Sequence, residues 1–152
     1  MRGLYVITDA SVADPDLLYR QVNEAIDGGA SFVQFRHKSD DQGLYFALAE
    51  AVIESCHRYG APCLINDNAH IVRALGADGA HLGQTDGSLS EARKELGTQA
   101  ILGRTCHDSR QLMDEAVADG TTYCAFGRLF ESGTKPSASG LSLSQLSVLV
   151  EQ

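Results

Sequence analysis

A chain of 152 residues, 43% hydrophobic and 21% charged, is long enough for one domain with its own core and too evenly mixed for a disordered or fibrous protein. Its net charge of −8 argues against a nucleic-acid partner, so any phosphorylated small molecule needs a local pocket of Arg and Lys, or a metal, working against the overall field. No apolar run approaches the ~20 residues that span a bilayer, and the four scattered cysteines, with no C-x-x-C pair, point to a reducing cytoplasm rather than to zinc or disulfides.

Leu4–Thr8 reads as a first strand, an apolar run too short for a signal peptide that meets Asp9 at once. A helix follows over Pro15–Asp27: Asp14 suits its cap, Pro15 its first position, and Leu17, Leu18, Val22 and Ala25 share one face before Gly28-Gly29 stops it. Ser31–Arg36 is a second strand and Asp41–Tyr59 a long helix ending at Gly60. The pattern then repeats: strand Pro62–Asn66, helix Ala69–Leu75; strand Gly79–Leu82, helix Ser90–Leu96; strand Ala100–Gly103, helix Ser109–Ala118. A sixth strand, Thr122–Phe126, leads through a polar loop, Glu131–Gly140, to a last helix, Ser142–Val150. Strict strand–helix alternation demands parallel strands joined by crossover helices, and strands without period-2 polarity should be buried on both faces.

An open doubly wound sheet or a (β/α) barrel satisfies that pattern. The open sheet usually carries a Gly-rich phosphate turn after its first strand, and "TDASVADPD" has no glycine. The strand ends, taken in order, are all polar: Thr8-Asp9, Gln34-Arg36-Lys38, Asn66-Asp67, Gln84-Asp86, Thr105, and Ser132-Thr134-Lys135. A barrel gathers such ends on one face, where function sits. Asp67 and Asp86, on neighbouring strands, should therefore converge, and two carboxylates with amide oxygens nearby suit Mg²⁺. Arg36 and Lys38 alternate along an extended segment and so share a side; with Lys135 they supply cations for a polyphosphate, while Ser132, Gly133 and Thr134 could cradle a second anion.

Blander roles compete for each residue. Asp67 could simply cap the next helix, and Arg36 with Lys38 could be a solvated rim pair. His81 is better read as a hydrogen-bonded core or rim histidine than as a catalyst. His107 would cap a helix, and Cys106 would react only if a helix N-terminus favoured its thiolate. Tyr5 packs, and Cys63 and Cys124 are small core residues.

Six ordered stretches, "LYVITD", "VQFRHK", "LINDN", "ALGADGAHLGQTD", "GRTCHD" and "YCAFGRLFESGTKPSA", resemble thiamine-phosphate synthase across essentially the whole chain. That resemblance implies a (β/α)₈ TIM-type barrel of which six of eight units are present here. It implies a Mg²⁺-dependent transferase that joins hydroxymethylpyrimidine diphosphate to thiazole phosphate and releases pyrophosphate. By position, Gln34, Arg36, Lys38 and Asn66 would hold the pyrimidine diphosphate and Asp67 and Asp86 the metal. Thr105, in place of the family's usual Ser, would contact the pyrimidine. Ser132, Gly133 and Thr134 would meet the thiazole phosphate and Lys135 the pyrophosphate, with Lys38, Lys135 and Thr105 as the catalytic set. His37 stands where the family usually has an acid. With two units missing, the edges of the first and sixth strands are expected to be open, so that another chain or a second copy covers them, the fold closes differently, or the chain is a truncated relative. The alternatives are a thiazole tautomerase-like isomerase on the same barrel, or a catalytically incomplete remnant that only binds the pyrimidine diphosphate.

Overall fold

The computed structural model describes residues 2–130 and 140–150. Twelve elements alternate: β1 (Leu4–Ile7), α1 (Pro15–Asp27), β2 (Ala30–Phe35), α2 (Gln42–Tyr59), β3 (Cys63–Asn66), α3 (Val72–Leu75), β4 (Gly79–Leu82), α4 (Leu89–Leu96), β5 (Ile101–His107), α5 (Arg110–Ala118), β6 (Tyr123–Phe126) and α6 (Leu143–Val150). All strands are parallel and pair in chain order, β1 through β6. The sheet curls strongly enough that Tyr5 on β1 and Tyr123 on β6, at its opposite ends, touch hydroxyl to hydroxyl at 2.7 Å. The result is a curled partial barrel with helices outside, the α/β TIM-like architecture expected.

Alternation along each strand builds two layers. Val33, Phe35, Cys63, Ile65, Ala80, Leu82 and Leu102 turn outward and pack, buried, against Leu48, Val52, Leu89 and Ala116 of the helices. The other set, Tyr5, Gln34, Asn66, His81, Thr105 and Tyr123, turns inward and joins hand to hand by hydrogen bonds. The helices start where their caps dictate. Asp14 accepts from the backbone N–H of Asp16 and Leu17, Asp41 from Leu44, and Ser109 from Leu112. Gly60 and Gly76 end α2 and α3 in the left-handed conformation.

Most boundaries lie within one residue of the sequence expectation, and two move further. The helix over Ala69–Leu75 contracts to Val72–Leu75, because Asp67 takes a left-handed φ of 65° and the Asn68 side chain captures the His70 N–H at 3.0 Å. The fifth strand runs on from Gly103 to His107, because Arg104, Thr105 and His107 pair with Cys124, Ala125 and Phe126 of β6. His107 therefore ends a strand, with φ 53°, and Ser109 caps the helix instead. The polar loop with Ser132, Gly133, Thr134 and Lys135 lies outside the described residues. Among the described residues, no helix is long and apolar enough to cross a membrane.

Candidate active site

β3 and β4 each hand over a carboxylate just beyond their C-terminal ends. Asp67 directly follows β3, and its N–H donates to the His81 carbonyl at 2.9 Å, extending the ladder one step past the strand. Asp86 sits in the turn after β4, where its Oδ2 accepts from the Gly83 N–H at 2.8 Å. A Cβ at Gly83 would lie 2.7 Å from that oxygen, so a side chain there would displace the carboxylate. The two carboxyl groups then face each other. Burial, together with the hydrogen bond and charge of Asp86, raises the Asp67 pKa above the ordinary 3.8, while Arg36 and the Asn66 amide pull it down. The convergence expected from the sequence is therefore present, and the capping role for Asp67 is not: α3 begins five residues later, at Val72, without a side-chain cap.

The pair fits a hard divalent cation. Both side chains offer oxygens, and facing carboxylates, one of which raises the pKa of the other, gain from a positive charge between them. The neighbouring amides do not offer oxygens, however. Asn66 gives its amide nitrogen to Asp67 and its amide oxygen to Gln34. Gln84 gives its nitrogen to the Thr105 carbonyl, and its oxygen faces the Arg104 guanidinium at 3.5 Å. A cation here would thus complete its shell with substrate oxygens or water.

Of the expected phosphate cations, Arg36 is half-buried and acts electrostatically on Asp67, whereas Lys38 stands exposed three residues past β2. Thr8 fixes the Arg36 backbone from both sides, its hydroxyl donating to the Arg36 carbonyl at 3.1 Å and accepting from the Arg36 N–H at 2.9 Å. Asp9 is taken up by its own turn, accepting at 2.8 Å from both the N–H and the hydroxyl of Ser11, which lowers its pKa. Lys135, Ser132, Gly133 and Thr134 lie outside the described residues.

Below the carboxylates runs the belt of interior side chains. Tyr5 donates to Gln34 Oε1 at 3.0 Å, and Gln34 Nε2 donates to Asn66 Oδ1. Tyr123 bridges Tyr5 at 2.7 Å and His81 Nδ1 at 2.8 Å, and His81 Nε2 meets Thr105 Oγ1 at 2.9 Å. Burial pushes the Tyr5 phenol up to about 12 and Tyr123 higher still, so both are neutral donors at pH 7. His81 is the hydrogen-bonded histidine expected. Tyr123 was not singled out in the sequence. The available signal was positional: an inward residue of β6 facing Gly103 of β5, where a Cβ would come within 2.1 Å of the Tyr123 ring. Cys106 is fully buried, and burial beside Cys124 pushes its thiol up to about 12, leaving no reactive thiolate. A surface cavity of about 410 Å³ lies under α6, lined by Asp108, Leu141, Gln145 and Val148, and shares no residue with this site.

The family model for thiamine monophosphate synthase matches residues 4–152. The thiamine phosphate pyrophosphorylase of Pyrococcus furiosus is similar at 27% identity and a TM-score of 0.82, over 98% of this chain and 69% of that one. The carboxyl transferase domain of Rhizobium etli pyruvate carboxylase (13% identity, TM-score 0.61, 97% of this chain and 30% of that) shares the fold alone. So does a Schiff-base-forming fructose-1,6-bisphosphate aldolase (19% identity, TM-score 0.63, 86% of this chain and 61% of that).

Proposed function

This chain belongs to the thiamine monophosphate synthase family, and we propose that it joins hydroxymethylpyrimidine diphosphate to thiazole phosphate, giving thiamine phosphate and pyrophosphate with Mg²⁺ as cofactor. One observation carries this reading: Asp67 and Asp86 meet at the C-terminal ends of adjacent strands, with Arg36 acting on Asp67. Facing carboxylates beside a guanidinium are a poor arrangement for structure alone and a good one for a metal-bound diphosphate.

In this reading Asp67 and Asp86 hold the metal, which when bound neutralises charge on the departing pyrophosphate. Arg36 and Lys38 bind the diphosphate oxygens, and Lys135 meets the leaving pyrophosphate. Gln34 and Asn66 shape the pyrimidine diphosphate pocket, Thr105 touches the pyrimidine ring, and Ser132, Gly133 and Thr134 receive the thiazole phosphate. The bond between the pyrimidine methylene and its oxygen breaks, and the electron pair leaves with pyrophosphate. The thiazole nitrogen then supplies the pair for the new carbon–nitrogen bond. Ionisation is the hard step, so fixed cations that strengthen their contacts as charge develops raise the rate. No proton leaves a carbon, so the chain needs no general base.

The test is direct. The purified chain is mixed with both substrates, with and without Mg²⁺, and thiamine phosphate and pyrophosphate are quantified. Product in equal amounts that requires the metal is expected, and Asp67→Asn or Asp86→Asn should lower turnover by about a hundredfold or more. Product formation that ignores both metal and carboxylates would overturn the reading. Pyrimidine diphosphate binding without turnover would instead establish a binding remnant.

A further inference from the structure

The two facing carboxylates are held in place by different means. Asp67 is fixed by main chain, its N–H continuing the β3–β4 ladder to the His81 carbonyl at 2.9 Å. Asp86 lies past the end of β4, in the turn 83–87. Leu82 and Leu89, each 1% exposed, anchor the chain on either side of that turn. Within it Gln84, Thr85 and Gly87 are exposed, so little apolar burial holds the segment.

Side chains supply the hold instead, and they tie the turn to β5. Arg104 stands directly opposite Leu82 in the β4–β5 ladder, on the other face of β5 from the Thr105 side chain. Its guanidinium donates to the Gly87 carbonyl at 3.1 Å and meets Gln84 Oε1 at 3.5 Å. Gln84 in turn donates its amide nitrogen to the Thr105 carbonyl. The residues so bound, Gln84 and Gly87, bracket Asp86 in the chain. Among the described residues Arg104 forms no ion pair, and its charge is spent on these oxygens.

We infer that Arg104 and Gln84 are positioning residues for Asp86: they latch the turn 83–87 to β5, and the latch holds the carboxylate facing Asp67 so that the pair binds a divalent cation. This rests on the metal reading of the pair given above. Neither residue is itself a ligand, since Arg104 is a cation and both amide atoms of Gln84 are committed. The role needs a planar fork that serves two acceptors at once, which a lysine ammonium does not offer.

Charge and latch predict opposite signs. An arginine near a cation site repels the cation, so losing Arg104 would tighten binding if charge alone mattered. Losing the latch frees the turn and weakens binding. Mn²⁺, an oxygen-seeking divalent ion read by its EPR signal, is the probe. The full chain should bind it, and Asp86→Asn should lose it, which defines the site. Arg104→Met and Arg104→Lys should each raise the Mn²⁺ dissociation constant about tenfold or more. Gln84→Ala, at an exposed position, should raise it severalfold. Lys94→Gln, which removes one positive charge from the exposed side of α4, should leave it unchanged. Thermal melts separate this effect from a general loss of stability: without metal Gln84→Ala should melt with the wild type, and with Mn²⁺ its gain should be smaller. Unchanged or tighter binding in either Arg104 variant overturns the inference. Should those variants fail to fold, unchanged binding in Gln84→Ala overturns it alone. If the wild-type chain holds no Mn²⁺, or Asp86→Asn holds it equally well, the metal reading itself fails and the latch fails with it.

Discussion

The middle strands and the flanking strands of this sheet have the same apolar lengths and the same parallel pairing, yet they are stabilised differently. On β2 and β3 the outward residues Val33, Phe35, Cys63 and Ile65 are 0% exposed beneath the helices. On β1, Leu4 and Ile7 are 57% and 53% exposed, and every residue of β6 is only half-buried. A strand with a neighbour on each side and helices above is held by burial. A strand with one neighbour relies on its single ladder and, here, on the Tyr5–Tyr123 contact across the interior. Both carboxylates follow middle strands, so the groups that most need fixed positions sit where the scaffold is firmest.

Substitutions can break or sharpen that contrast. Phe35→Ala, in the sealed layer, should cost about 3–5 kcal/mol in urea denaturation, because Phe35 is fully buried and its loss leaves a cavity. A loss near that of a surface change would mean the middle strands are no better packed than the flanks. The carboxylate pair should give a pH- and metal-dependent effect of intermediate size. The folded-state pKa of Asp67 lies above its ordinary value of 3.8, so its favourable contribution is complete in acid and is lost as pH rises through the folded value. Thermal melts should therefore show Mg²⁺ stabilising the chain at pH 7, with the increment shrinking towards pH 4 and absent in Asp67→Asn. At the flank, Leu4→Ser should change stability by no more than about 0.5 kcal/mol. A larger loss would show that some contact covers β1 in solution.

Much of this organisation is legible in the sequence, because the signals are local and repeated. Asp14-Pro15, Gly60 and Gly76 mark helix ends by capping chemistry alone, and the alternation of elements leaves few topologies. The convergence of Asp67 and Asp86 follows from parallel strands sharing one rim. What could not be read was tertiary in origin. The continuation of β5 through Arg104 and Thr105 depends on β6 offering a partner, and polar residues gave no hint of it. The orientation of Asn66 and Gln84 depends on which neighbours need a donor, so their oxygens, expected near the cation, face elsewhere. Tyr123 gains its place from Tyr5, 118 residues away in the chain, and no spacing rule reaches that far.

The φ of 65° at Asp67 also dictates how this position can be interrogated. Aspartate and asparagine enter the left-handed region with modest penalty, whereas alanine pays about 1–2 kcal/mol for its Cβ. An alanine scan would therefore confound a lost ligand with a twisted main chain and overstate the worth of the carboxylate. Asparagine, isosteric and at ease in that conformation, removes the charge alone and is the substitution that measures chemistry.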